Sequence, residues 1–187
     1  MRAAKQPKRR NAPVTKAKLL AAAQKAFSEM GYSQTGIRDI AKIADVSSTM
    51  LLRYYGSKAA LYEAALIDAM PVTALFSAGK KGFGERIAEQ FLNPALNIMP
   101  PSIVSLSTGN ADAREITTKV MNEYVITPLA KWLGAPDSRE RAAEITMLAM
   151  GFVLYTRQIP LLANSKNGNR KMAKWLAQTI QAIVDQT

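Results

Sequence analysis

The chain has 187 residues, 48% of them hydrophobic, with no Cys, no His and a formal net charge of +11. Disulfides, thiol redox switches, zinc sites built on Cys or His, and His-dependent catalytic dyads and triads are thereby excluded. The apolar fraction is enough to bury one compact core or two small ones.

The charge is uneven: residues 1–58 hold twelve Lys and Arg against Glu29, Asp39 and Asp45. A basic end of this kind either neutralises a phosphate backbone or serves as a solvated solubility device. No cofactor or metal is implied. No strictly apolar run reaches the roughly 18 residues of a membrane span, and the polar N-terminus lacks the apolar core of a signal peptide. These readings point to a cytoplasmic protein without membrane contact.

Residues 1–14 are basic, aperiodic and carry two prolines. They read as a disordered arm, either lying along phosphates, entering a minor groove or making no fixed contact. From Thr15 to Met30, Leu19, Leu20, Ala23, Phe27 and Met30 recur at three- and four-residue spacing, and Gly31 supplies the stop.

The stretch from Thr35 to Lys58 then holds two short apolar patterns joined by a tight turn: Ile37, Ile40, Ala41 and Ala44, then Val46, Leu51 and Tyr55. That is a helix-turn-helix pattern, although an ordinary helix pair has the same spacing. Thr35 or Gly36 can start its first helix and Ser47 can cap its second, by satisfying backbone N–H groups of the first turn. Ser47, Ser48, Thr49, Leu52 and Arg53 fall outside the apolar stripe, on a face free to enter a DNA major groove.

The run from Leu19 to Leu61 resembles the DNA-binding domain of the TetR/AcrR family of bacterial transcriptional regulators. The likeness is carried by Phe27, Gly31-Tyr32, Thr35, Asp39-Ile40-Ala41, Val46-Ser47, Leu51, Tyr55 and Ser57-Lys58. It implies phosphate contacts from Thr35 and Lys58, a recognition helix from Ser47 to Tyr54, and a candidate DNA surface of Thr35, Arg38, Ser47, Ser48, Thr49, Arg53, Tyr54 and Lys58.

Two positions depart from the family pattern. Asp45 stands where a turn glycine is usual, a residue that tolerates left-handed geometry. Leu52 replaces a phosphate-bonding tyrosine, leaving that contact to Tyr54 or Arg53, or lost. Arg53 alone has the fork for a bidentate guanine contact, and phosphate is its other candidate partner. Met50 and Leu52 read first as packing residues and second as contacts to thymine methyls.

A fourth helix is expected from Ser57 to Met70, with a loop or hinge at residues 71–84 containing Pro71, Gly79, Gly82 and Gly84. Further helices follow at Phe83–Asn93 and between Pro101 and Ser107. Two longer ones are signalled by Asp112 with Glu115 and by Asp137 with Glu140 as capping pairs. Pro128 should kink the first of these; the second runs from Arg139 to about Gln158, and a last helix covers Arg170–Asp185.

The segment from Pro128 to Leu162 resembles C-terminal domains of one TetR subgroup. The resemblance implies an all-α chain: arm 1–14, helix-turn-helix domain 15–58 continuing into a linking helix 57–70, and a helical domain 71–187 for effector binding and dimerisation. The helix from 139 to 158 is apolar nearly all round, as a helix covered on more than one side must be, either in a homodimer interface or in a monomer core. Pocket candidates are Phe91, Met99, Met121, Tyr124, Met147, Phe152, Tyr155 and Arg157, each of which reads first as core and second as pocket, with Arg157 placed to meet an anionic ligand, the surface or a dimer partner.

The expectation is a regulator, a repressor released by an apolar or amphipathic effector, whose partners are a palindromic double-stranded operator and a second copy of itself. The rivals are a sequence-independent DNA-coating protein and an enzyme. An enzyme would have to rest on Glu115, Glu123 and Glu144, which are ordinary helical carboxylates.

Overall fold

Apolar residues spaced three and four apart become ten α-helices, with no strand, among residues 12–161 and 165–186, which the computed structural model describes. The expected arm lies outside the described residues up to residue 11. The first helix starts earlier than the arm's expected end at residue 14: α1 spans Ala12–Gln34, interrupted at Gly31, whose φ of 68° breaks the helix where a stop was expected. Helices α2 (Ile37–Ile43), α3 (Ser48–Tyr55) and α4 (Lys58–Ala69) follow. Leu19, Ala23 and Phe27 of α1 meet Ile40, Leu51, Leu61 and Leu66 in a first core, and Phe27, Tyr32 and Tyr62 add ring contacts with centroids 5.0 to 6.1 Å apart.

That core is completed from further along the chain, by Ile103 of α6 (Pro100–Ser107) and by Ala113 and Val120 of α7 (Ala111–Val120). Tyr62 shares a hydrogen bond of 3.0 Å with Thr117, and Lys119 pairs with Glu63 at 2.8 Å. α4 is thus bound sideways to α7.

The second core joins α5 (Phe83–Leu92), α8 (Thr127–Leu133), α9 (Ser138–Val153) and α10 (Lys166–Val184) through Phe83, Ile87, Leu129, Leu133, Ala142, Ile145, Leu176 and Ile180. Gly84, which falls both in the expected loop 71–84 and in the expected helix Phe83–Asn93, is buried inside α5. A Cβ there would stand 2.0 Å from the carbonyl oxygen of Ala177, so the glycine lets α5 and α10 cross at backbone distance.

Arg141 fastens the same core. It is 1% exposed, yet its guanidinium donates to the carbonyls of Ile183, Val184, Gly134 and Pro136 at 2.9 to 3.1 Å. One cation therefore satisfies carbonyls at the C-terminal ends of both α8 and α10, where the helix dipole favours positive charge.

Several expected boundaries move, each for a local reason. Asn110, not Asp112, caps α7, its side chain accepting from the N–H of Ala113 at 2.9 Å. Asp137 occupies the capping position of α9 in left-handed geometry, without a side-chain capping bond. The turn before Pro128 widens into a π-helical segment, Met121–Ile126, which runs continuously into α8 and absorbs a proline that has no N–H for the preceding turn. A second such segment, Leu154–Gln158, prolongs α9, and α10 begins at Lys166 rather than Arg170.

The stretch Lys58–Phe76 does reach span length, at a mean hydropathy of 1.4, because an average tolerates Glu63 and Asp68 where a strict apolar run does not. Its helix ends at Ala69, and Leu61, Tyr62, Ala65 and Leu66 are sealed in the first core.

Candidate nucleic-acid interface and effector pocket

The tight turn between α2 and α3 is closed by two backbone bonds, the N–H of Asp45 to the carbonyl of Lys42 at 3.2 Å and that of Val46 to Ala41 at 3.0 Å. Asp45 takes φ 53°, the left-handed conformation that its short polar side chain tolerates. Gly36 caps α2, with the Asp39 carboxylate accepting from its N–H at 2.9 Å. Ser47 caps α3, its Oγ accepting from the N–H of Met50 at 3.1 Å.

These caps fix the rotation of α3. Leu51 is fully buried and Tyr55 is half-buried, its hydroxyl reaching the carbonyl of Lys16 at 3.5 Å. Thr49, Leu52, Arg53 and Tyr54 are exposed, and Ser48 and Met50 are half-buried. Thr49, Leu52 and Arg53 stand three and four apart and so form one stripe. Leu52, read first as a packing residue, is 41% exposed on that stripe. Arg38 is exposed on α2, one turn from exposed Lys42.

Two expected phosphate ligands are placed otherwise. Thr35 is 1% exposed and its hydroxyl donates inward, to the carbonyl of Gly31 at 2.6 Å and toward that of Ala26 at 3.3 Å. It clamps the broken end of α1 rather than facing solvent. Lys58 is half-buried; its ammonium donates to the carbonyls of Tyr32 and Thr35 at 2.9 and 3.1 Å and sits 4.2 Å from the centre of the Tyr32 ring. Two of its three N–H groups brace the domain, and among the described residues the third has no acceptor.

The joint to the rest of the chain is equally close. A Cβ on Gly31 would lie 2.4 Å from the carbonyl oxygen of Leu106, and the N–H of Tyr32 donates to the buried Ser107 hydroxyl at 3.0 Å. The C-terminal end of α6 is thereby locked to α1.

A cavity of about 320 Å³ opens beyond the other end of α6, walled by Met70 and Val72 after α4, Phe91 of α5, Pro100 and Pro101 of α6, Met121, and Thr146, Ala149, Met150 and Val153 of α9. Of the eight pocket candidates it brings in Phe91 and Met121. Phe152 is buried beside it, its ring 6.0 Å from that of Phe91, and Met99 packs on the first core. Tyr124, Met147 and Tyr155 are exposed; the helix carrying Met147 and Tyr155 is apolar on every side, a pattern that does not reveal which side faces the cavity.

Arg157 meets no ligand space. Its guanidinium donates to the carbonyls of Phe91, Asn93 and Leu96, clasping the end of α5 and the strap that follows, and burial pushes its pKa down. The signal missed in the sequence is the spacing of Thr146, Ala149, Met150 and Val153, one stripe of α9 whose smaller members leave room. Glu115, Glu123 and Glu144 are all exposed.

Residues 19–65 match the profile of bacterial regulatory proteins of the tetR family, and residues 81–184 match that of the tetracyclin repressor-like C-terminal domain. No curated protein matches the chain. Among solved structures, a TetR-family regulator of Streptomyces coelicolor A3 is 23% identical over 96% of this chain and 99% of its own, with a TM-score of 0.55. GusR of Salmonella enterica is 20% identical over 96% and 100%, with a TM-score of 0.70. NalD, the secondary repressor of the MexAB-OprM multidrug efflux pump in Pseudomonas aeruginosa, is 17% identical over 91% and 96%, with a TM-score of 0.64. These three likenesses are likenesses of fold.

Proposed function

The chain belongs to the TetR family and is a DNA-binding transcriptional regulator, and from that premise we propose that it is a homodimeric repressor released by a small effector held in the 320 Å³ cavity. Residues 15–58 are the reading head, the linking helix carries it, and residues 71–187 bind effector and partner. Thr49, Arg53, Ser48 and Tyr54 meet the operator, and Arg38, Ser47 and the third N–H of Lys58 hold phosphates beside them. The observation that carries this reading is the two-sidedness of α3, with Leu51 sealed below and the Thr49, Leu52 and Arg53 stripe open above.

The cavity's position supports release. Its walls include the end of α4 and the start of α6, and both helices are anchored in the first core, α6 through Ile103 and α4 through Leu61, Tyr62 and Leu66. An effector that fits a wider cavity better favours a different setting of the reading heads, which shifts the population away from the spacing that matches adjacent grooves.

A second copy is the natural cover for α9 and α10. Met147 is 66% exposed and Trp175 47%, with Tyr155 and Met172 also exposed. Gly151 lies inside α9, and a Cβ added there would touch nothing within 4 Å. Among the described residues no contact asks for this glycine, whereas a partner helix can approach closely at it. Light scattering at working concentration should give a dimer.

The deciding experiment is selection of bound fragments from random duplex DNA. We expect a palindrome whose half-sites lie a helical turn or a multiple of it apart. Retention of bulk DNA without a site would instead support the DNA-coating reading, and no retention would sink both.

A further inference from the structure

Resting on the reading of the cavity as an effector site, we infer that its effector is an electrically neutral, mostly apolar molecule carrying at most a hydroxyl or amide group, and that the site rejects anions and cations alike. Among the described residues, none of those lining the cavity is ionisable. Its polar side chains are those of Gln90, Asn97 and Thr146. The Thr146 hydroxyl already donates to the carbonyl of Ala142 at 2.7 Å, which leaves it able only to accept.

The two features that would welcome an anion are disabled. A helix N-terminus offers N–H groups to negative charge, but the first turn of α6 begins with Pro100 and Pro101, which have none. The nearby cation, Arg157, spends its guanidinium on the carbonyls of Phe91, Asn93 and Leu96, and these hold the strap whose Leu96 and Asn97 form the cavity wall. A cation fares no better, since the lining supplies no carboxylate. An ion entering this space would surrender its hydration and meet no opposite charge, only the amides of Gln90 and Asn97 and the ring faces of Phe83 and Phe91, whereas an alcohol or amide would surrender little.

The test uses the 187-residue chain and three matched sets of probes built on decane, naphthalene and decalin skeletons. Each is offered as alcohol, carboxylate and ammonium, with binding read by calorimetry and thermal shift. The alcohol of at least one set should bind about a hundredfold more tightly than its two ions. The carboxylate's apparent affinity should rise about tenfold per pH unit lost, toward its own pKa, because only the protonated acid enters. Ala149→Leu, which takes up cavity space, should weaken the alcohol.

An ion bound as tightly as its alcohol overturns the inference. A carboxylate bound most tightly, and lost in Arg157→Gln, would show the clasp opening onto an anion and would overturn it as well. Binding by no member of any set removes both this inference and the cavity reading, while the DNA selection still decides the regulator reading by itself.

Discussion

The backbone N–H of Tyr32 donates to the Ser107 hydroxyl at 3.0 Å across 75 residues of sequence, and both groups are buried. This bond and the contact of Gly31 with the Leu106 carbonyl make α6 an extension of the reading head. Ser107→Ala leaves a buried N–H unpaired and should cost about 1–3 kcal/mol of stability in urea denaturation. Gly31→Ala should cost more, since its added Cβ would meet a carbonyl oxygen at 2.4 Å in a backbone held at φ 68°. A Ser107→Ala protein as stable as the parent would mean that water replaces the hydroxyl and that the joint rests on Gly31 alone.

Lys58 stands under two demands. Its ammonium already braces the carbonyls of Tyr32 and Thr35, so Lys58→Met should lower stability without DNA by about 1 kcal/mol. If its third N–H reaches a phosphate, the salt dependence of DNA binding should fall by about one charge as well. We expect both effects. Thermal unfolding and a salt titration separate them, and an unchanged slope would leave Lys58 as a brace only.

The pattern of apolar residues announced α1 to α4 because Leu19, Phe27, Ile40 and Leu51 repeat at helical spacing and face one core. It did not announce Thr35, because a hydroxyl at a helix start has the same appearance whether it turns outward to a phosphate or inward to Gly31. Asn110 and Asp112 are both short acceptors near one helix start, so the sequence does not tell which of them caps it. Gly84 and Arg141 were beyond reach, since the first is explained by Ala177 and the second by Ile183 and Val184, partners set by packing far along the chain. The pocket suffered most: aromatic and Met side chains mark adaptable surfaces, but Met147 and Tyr155 spend theirs outside.

Arg141 offers a sharp test of the second core. Arg141→Met leaves four carbonyls without their donor, and the cost should be about 3 kcal/mol. Arg141→Lys should recover little, because three N–H groups on one point cannot span the ends of two helices. Chemical denaturation gives the energy, and hydrogen exchange should quicken at the end of α10.

Alkaline pH should expose Tyr55. Burial first, then the negative charge of Asp68, push its phenol from an ordinary 10.0 to about 12. The folded state therefore keeps a proton that the unfolded state has begun to lose. The stabilisation is complete below about pH 10 and disappears as pH rises toward 12. Stability profiles of the parent and of Tyr55→Phe should converge below that window and differ within it, with the variant the flatter. Parallel profiles would show that the hydroxyl finds water in the folded chain.

Leu52 should read a methyl group. It stands between Thr49 and Arg53 on the open stripe of α3 and is 41% exposed, so on the DNA it must either remain wet or bury itself against something apolar. In the major groove the apolar feature of a base edge is the C5-methyl of thymine. Burying such a methyl contributes roughly 1 kcal/mol, or about fivefold in affinity. Once a site has been selected, replacing its thymines one pair at a time by deoxyuridine should weaken the parent protein about fivefold at one symmetric position and leave Leu52→Ala indifferent there. The comparison is a double-mutant cycle in which one partner is a methyl group of the DNA, so a general loss of affinity in the variant cancels. Equal sensitivity in the two proteins would remove Leu52 from base reading and leave Arg53, Thr49 and Ser48 to carry the specificity.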